Sequence, residues 1–166
     1  MNFAVHRLNE HKRAQLVAHF LALSAKDRCL RFCTSLAPTV IASYVDRIDF
    51  ASDEVLGVHD DRQVLVGAAH VAFEDDRAEL ALSVLSGHRR RGIAGALFRH
   101  ALAHVRQRRM PKLYMHCLSG NAPIMHIAHK YGMDIVAGAG AADAYLELHS
   151  TISGEVETRE TKLAVR

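Results

Sequence analysis

Between Glu79 and Val105 the hydrophobic period of the chain changes from two to nearly four, and that change limits the folds open to it. Within Glu79–Leu85, Leu80, Leu82 and Val84 alternate with Ala81 and Ser83, the mark of a strand. From Ile93 onward, Leu97, Ala101, Leu102 and Val105 recur at helical spacing over about four turns. The joint between them is Ser86-Gly87-His88-Arg89-Arg90-Arg91-Gly92, basic and rich in small residues. A strand that feeds an amphipathic helix needs sheet neighbours beside it and a surface for the helix to cover. That combination belongs to an α/β domain.

The segments on either side extend this reading. Phe3–His6 is a short apolar strand, and Asn9 caps a following helix in which Leu16, Phe20 and Leu23 recur. Ser35 and Pro38 mark a second helix start, with Val40, Ile41, Tyr44, Val45 and Ile48 as its apolar face. Two strands follow, Val55–His59 and Val64–Phe73, joined at Asp60-Asp61. After the long helix, Pro111 precedes a strand over Leu113–Leu118. Ser119-Gly120-Asn121 opens a helix that Gly132 ends, and Ile135-Val136 and Ala144–Leu148 are two last strands. The expected order is β-α-α-β-β-β-α-β-α-β-β, a mixed α/β (α+β) sheet. Residues 1–149 are expected to form a single domain and 150–166 a polar tail, or an arm in an oligomer; a homodimer stays open.

Composition narrows the classes. The 166 residues are 49% hydrophobic, which excludes a mainly disordered chain. Three cysteines are too few for a disulfide framework, so a reduced, cytoplasmic protein is expected. No run approaches the roughly 18 apolar residues of a membrane span, and the start has no long apolar stretch of the signal-peptide kind. The net charge of +3 hides an asymmetry. His88–Lys112 carries eight basic residues and no acidic one, leaving −5 for the rest. Such an excess invites a polyanion, or is a solvated helix face. Nucleic acid is disfavoured because Phe98 is the stretch's sole aromatic and stacking wants more.

The loop before Ile93 sharpens the polyanion option. The first turn of a helix has N–H groups without intrahelical partners and a partial positive charge. Gly92, Ala94 and Gly95 allow close approach to the backbone, and the arginines add charge-assisted hydrogen bonds. These make a site for phosphate or pyrophosphate. The bland alternative is a connection whose glycines serve only the turn. The loop is neither a Walker phosphate loop nor a Gly-x-Gly-x-x-Gly fingerprint.

At this point the sequence resembles the GNAT superfamily of acyl-CoA-dependent N-acyltransferases. Arg89-x-x-Gly92-x-Ala94 is similar to the family's Gln/Arg-x-x-Gly-x-Gly/Ala signature. Glu79–Val84 resembles its fourth strand, and Arg91-Gly92-Ile93-Ala94-x-x-Leu97 its third helix. Asn121 followed by Lys130-x-Gly132-Met133 resembles its Asn…Lys-x-Gly-Phe segment, with Met for Phe. The resemblance implies a sheet whose central strands splay, and acetyl-CoA as cosubstrate, with no metal. It implies that the loop Arg89, Arg90, Arg91, Gly92, Ile93, Ala94 and Gly95 binds the coenzyme pyrophosphate. It further implies that Leu82, Ser83 and Val84 pair with the pantetheine and hold the thioester carbonyl. Asn121 is implied to contact the pantetheine arm, a role compatible with a helix N-cap.

The implied activity is acetyl transfer to a primary amine by direct attack on the thioester. A non-catalytic acyl-CoA-binding regulatory module is the alternative, because the family's usual thiol-protonating Tyr falls at Ala128 here. Tyr131 lies three residues on and reads as a packed aromatic. For the base, the candidates are Glu79 on the fourth strand and His116 on the fifth. Each also has a structural reading, as a strand-start charge and a satisfied histidine. The acceptor is a small-molecule amine or a protein lysine; nucleic acid and membrane are not expected partners. Asp27-Arg28-x-x-Arg31-Phe32 resembles a segment of some family members, protein-lysine acetyltransferases included, and otherwise reads as a charged linker. His100 and His104 stand one helical turn apart, with no third metal ligand evident.

Overall fold

The computed structural model describes residues 3–148, so the expected tail from Ser150 lies outside the described residues. Seven strands form one sheet in the order β1-β2-β3-β4-β5-β7-β6. The strands are β1 (His6–Arg7), β2 (Glu54–His59), β3 (Leu65–Phe73), β4 (Ala78–Val84), β5 (Lys112–Leu118), β6 (Asp134–Ala137) and β7 (Ala141–Glu147). Five α-helices accompany them: α1 (Arg13–Ala22), α2 (Ala25–Phe32), α3 (Pro38–Asp46), α4 (Ile93–Gln107) and α5 (Ala122–Lys130). The mixed α/β class and the order of strands along the chain agree with the sequence reading; the placing of β7 between β5 and β6 in the sheet is new.

The one added element is α2. The sequence reading ran a single helix to Leu23 and treated the next residues as a linker. In the structure Leu23 turns extended, at φ −63° and ψ 144°, and Ser24 caps a new helix. Ser24 Oγ accepts from Asp27 N–H at 3.1 Å and donates to Asp27 Oδ2 at 2.7 Å. The hydroxyl thus caps the N3 N–H, while the Asp27 carboxylate takes the hydroxyl hydrogen and not the Ser24 backbone N–H of a full capping box. The α3 start also shifts: Ala37, not Ser35, is its N-cap, with Pro38 in the first turn. Asn9 caps a short 3-10 turn, Glu10–Lys12, that leads into α1.

Alternation in the strands divides the sheet into two cores. Leu80, Leu82 and Val84 pack with Ile93, Leu97, Phe98 and Val105 of α4 and with Ile127 and Ala128 of α5. On the other face Val55, Leu65 and Ala68 pack against Leu16, Phe20, Ile41 and Val45 of α1 and α3. Hence β4 presents Glu79, Ala81 and Ser83 to the α1–α3 side.

The seat of α4 depends on Gly67 of β3, which pairs with Val84. A Cβ at Gly67 would meet Ile93 Cγ2 at 2.6 Å, inside contact distance. Ile93 is β-branched and buried, so it has little room to yield. Gly67→Ala is expected to destabilise the fold by about 1–3 kcal/mol. A thermal-melting comparison with the wild type checks this.

Candidate functional site

The strands β4 and β5 are parallel neighbours but pair only at Ala78↔Leu113 and Glu79↔Tyr114. Beyond Glu79 they diverge, the splay expected for this sheet. Backbone groups of β4 past that point have no partner strand on the β5 side. A cleft of about 1080 Å³ lies along this stretch. Leu82, Ser83 and Val84 line one wall, α2 supplies Asp27, Leu30 and Arg31, and Asn121 with the first turn of α5 supplies another wall.

The basic loop closes one end. Arg89, Arg90, Gly92, Ile93, Ala94 and Gly95 line the cleft, whereas Arg91 does not. Arg90 and Gly92 are both left-handed, with φ 59° and 91°. Left-handed residues in a short loop are how successive N–H groups are turned to one side as an anion nest. Gly92 is the N-cap of α4 and supplies no side-chain cap. The first intrahelical bond runs from Ala96 N–H to Gly92 O at 2.9 Å. Ile93, Ala94 and Gly95 thus present uncapped N–H groups at the positive end of the helix dipole. By contrast α2 and α5 are capped by Ser24 and Asn121.

Arg89 does not aim its charge at this nest. Its Nε donates to Val84 O at 3.1 Å, and its Nη2 pairs with Asp27 Oδ1 at 2.8 Å. Burial pushes the Asp27 carboxyl up, but the Ser24 and Arg89 hydrogen bonds outweigh it and hold the group below its ordinary pKa. Arg89 therefore fastens the loop to the end of β4 and to α2. Asn121 plays a similar part. Its Oδ1 accepts from Ile124 N–H at 3.4 Å and its Nδ2 donates to Leu30 O at 3.4 Å, tying α5 to α2.

Neither base candidate lines the cleft; both lie on the α1–α3 side of the sheet. Glu79 is half-buried at the last residue pair before the strands part. His116 pairs with Asp143 of β7, Nδ1 to Oδ1 at 2.6 Å, and Tyr114 Oη donates to the same oxygen at 2.8 Å. Those two hydrogen bonds, His116 first, hold the Asp143 carboxyl below its ordinary pKa. The Tyr114 hydroxyl is pushed up, mainly by burial and then by the Asp143 carboxylate.

The sequence profile of the acetyltransferase (GNAT) family matches residues 23–133, well over half of the chain. The chain belongs to the GNAT acetyltransferase family. Among solved structures it is similar to the GNAT domain of S. lividans PAT, at 19% identity and a TM-score of 0.74, covering 87% of this chain and 89% of that one. Another is yncA from Salmonella typhimurium with its cofactor acetyl-CoA, at 13% identity and a TM-score of 0.70, covering 94% and 99%. A third is a ribosomal-protein-alanine N-acetyltransferase from Brucella melitensis, at 17% identity and a TM-score of 0.67, covering 87% and 99%. At these identities the likeness is one of fold. No curated protein matches.

This GNAT chain departs from the family at the expected acid. Ala128 is fully buried in the core under α5. The Tyr131 ring stacks on Phe98 with centroids 4.2 Å apart. Its hydroxyl donates to Gly95 O at 3.2 Å and accepts from Arg99 Nη1 at 3.2 Å, so it braces the first turn of α4. His100 bonds Ala96 O, and His104 lies 3.7 Å from Glu54. Among the described residues, no group of three or more His, Cys, Asp or Glu side chains comes together as a metal site. No helix there is long and apolar enough to cross a membrane.

Sequence reasoning missed His19, which lies on the same helical face as Leu16, Phe20 and Leu23 and is 2% exposed. Its Nδ1–H donates to Leu65 O at 2.8 Å and its Nε2 accepts from Ser83 Oγ at 2.9 Å. Burial lowers its pKa from 6.5 to about 4; the Leu65 bond opposes the shift and the Arg31 charge adds to it. The neutral ring thus holds Ser83 on the cleft wall. Between pH 6.5 and about 4 the unfolded chain binds a proton that the folded one refuses. Stability is therefore expected to fall by about 3 kcal/mol as pH drops through that window, and to level off below it. His19→Gln should lose much of this dependence. Urea midpoints at neutral pH and near pH 4 check both proteins.

Proposed function

We propose that the chain is an acetyl-CoA-dependent N-acetyltransferase acting on a primary amine in the cytoplasm. The observation that carries this is the uncapped α4 N-terminus, bordered by two left-handed residues, at the end of a cleft along splayed β4. Bound acetyl-CoA would supply an acyl carbon already activated as a thioester. Ile93, Ala94, Gly95, Gly92 and Arg90, with the Arg90 side chain adding charge, would hold its pyrophosphate, while Arg89 keeps the loop in place. Leu82, Ser83 and Val84 offer backbone groups to the pantetheine and thioester, and Asn121 flanks the arm.

The remaining work is proton management. An amine arrives as an ammonium and must shed a proton before it can attack. His116 is the favoured base: Asp143 orients it through Nδ1, and Nε2 is left to accept. Glu79, at the mouth of the splay, is the second candidate and suits holding the ammonium beforehand. As the C–N bond forms the C–S bond breaks, and sulfur leaves with the electron pair. The amine gives up one proton to the base and a second that ends on sulfur. With Ala128 buried and Tyr131 committed to Gly95, water relays that last proton from the amine nitrogen to sulfur in this reading.

The same absence of an acid favours a second reading, a non-catalytic acyl-CoA-binding regulatory module. The two separate by experiment. Calorimetry with acetyl-CoA is expected to show binding, and none at millimolar ligand would sink both. Coenzyme release across a panel of amines and lysine peptides is expected for the enzyme alone.

Ala94→Glu places an anion in the first helical turn, where the dipole favours its folding but a phosphate would be repelled. Acetyl-CoA affinity should fall about tenfold or more with the melting temperature held; unchanged affinity would remove the cradle from this loop. His116→Gln should cost about a hundredfold or more in kcat, read from initial rates at saturating acetyl-CoA. If Glu79→Gln has that effect instead, the base is Glu79.

A further inference from the structure

A second set of polar groups lines the route from α3 to the cleft, and the transfer chemistry leaves it without a task. Arg31 of α2 borders the cleft beside Leu30, Leu82 and Ser83. Its Nη2 donates to Tyr44 Oη at 3.1 Å. Tyr44 Oη in turn bonds His70 Nδ1 at 2.7 Å, and His70 Nε2 bonds Asp53 Oδ2 at 2.9 Å. Burial, the largest influence, depresses His70 below its ordinary pKa against the opposing Asp53 bond, so the ring is neutral. Every donor then points the same way: Arg31 to Tyr44, Tyr44 to His70, and His70 to Asp53.

The guanidinium is held as firmly from its faces. Its carbon sits 5.2 Å from the Phe20 ring centroid, 4.8 Å from that of Phe32 and 5.7 Å from that of Tyr44. Among the described residues no carboxylate comes within 4.0 Å of it, and its buried Nε has no hydrogen-bond partner. A cation fixed by three rings and by the hydroxyl of one of them, Tyr44, without a direct counter-ion, is preorganised to receive an anion at the cleft. Glu79 is the opposite charge nearby: its carboxylate and the Arg31 guanidinium both act on His70 and on Cys33.

We infer that the acceptor is an amine that carries its own carboxylate, a free amino acid in the simplest case, with the carboxylate on Arg31 and the ammonium towards Glu79. The inference rests on the acetyltransferase reading above and names the substrate class of that site. The terminal guanidinium hydrogens that Tyr44 does not use offer charge-assisted donors that suit a carboxylate and not a lysine ammonium or a neutral amide. A site built this way rejects the analogue lacking the anion, because the half-buried Arg31 would be left without a counter-ion. Tyr44, His70 and Asp53 are positioning residues for Arg31.

The test compares free amino acids with their carboxamides and with N-acetyl-lysine amide-type peptides, at saturating acetyl-CoA. The free acids are expected to exceed the matched carboxamides on the order of a hundredfold in kcat/KM. Arg31→Gln should collapse that ratio towards unity by raising KM for the acids, and Tyr44→Phe should reduce it in part. A purely structural Arg31 would lower activity on both sets alike. Equal use of acids and carboxamides by the wild type, or a ratio untouched in Arg31→Gln, would overturn the inference. Calorimetry of the same amino acids on the coenzyme A-bound protein gives a readout that needs no turnover: tighter binding of the acids supports it, and equal or absent binding overturns it. Failure of the acetyltransferase reading differs, since acetyl-CoA itself would then not bind.

Discussion

The separation of β4 from β5 is the constraint on which the rest of the structure depends. Two parallel strands that share two residue pairs and then part leave β4 with backbone groups that no strand completes. Unpaired peptide groups in a protein interior are costly unless water or a ligand reaches them. The gap is held open from both sides. On one face α4 leans on Gly67 and packs Ile93 and Leu97 against β3 and β4. On the other, α2 is drawn to the loop by Asp27–Arg89 and to α5 by Leu30–Asn121. A cleft with a strand edge along its length and a helix N-terminus at its end follows from that packing.

Charge is distributed to match. The basic loop stands at the α4 end, but Arg89, the first residue of its signature, spends its guanidinium on Val84 and Asp27 rather than on solvent. Its contribution is to keep the loop in place beside the uncapped start of α4. On the α1–α3 side the titratable groups are set in pairs: His116 with Asp143, His70 with Asp53, and the neutral His19 with Ser83. Each histidine has its tautomer directed by one partner, which leaves the other nitrogen a defined role.

The loop and the strand–helix switch were legible because they are local. Gly92, the arginines and the apolar period of α4 lie within about 20 residues of one another. The α2 helix was overlooked although Ser24-x-x-Asp27 is a readable cap, because its face carries few apolar residues and periodicity gives it little weight. Tyr131 shows the converse. Its spacing from Asn121 suggests nothing specific, and only the stacking on Phe98 and the bond to Gly95 assign it to the helix start.

By itself the sequence determined the α/β class, the order of strands along the chain and the family signature with its basic, small-residue loop. Those follow from periodicity and turn chemistry between near neighbours. Only the tertiary structure decided which distant side chains meet. Arg31 and Asp53 stand on different elements, yet Tyr44 and His70 join them; Asp143 reaches His116 only because β7 pairs with β5. Hydrogen bonds and ion pairs act over a few ångströms, and sheet pairing and helix packing set those distances. No residue spacing along the chain could have supplied them.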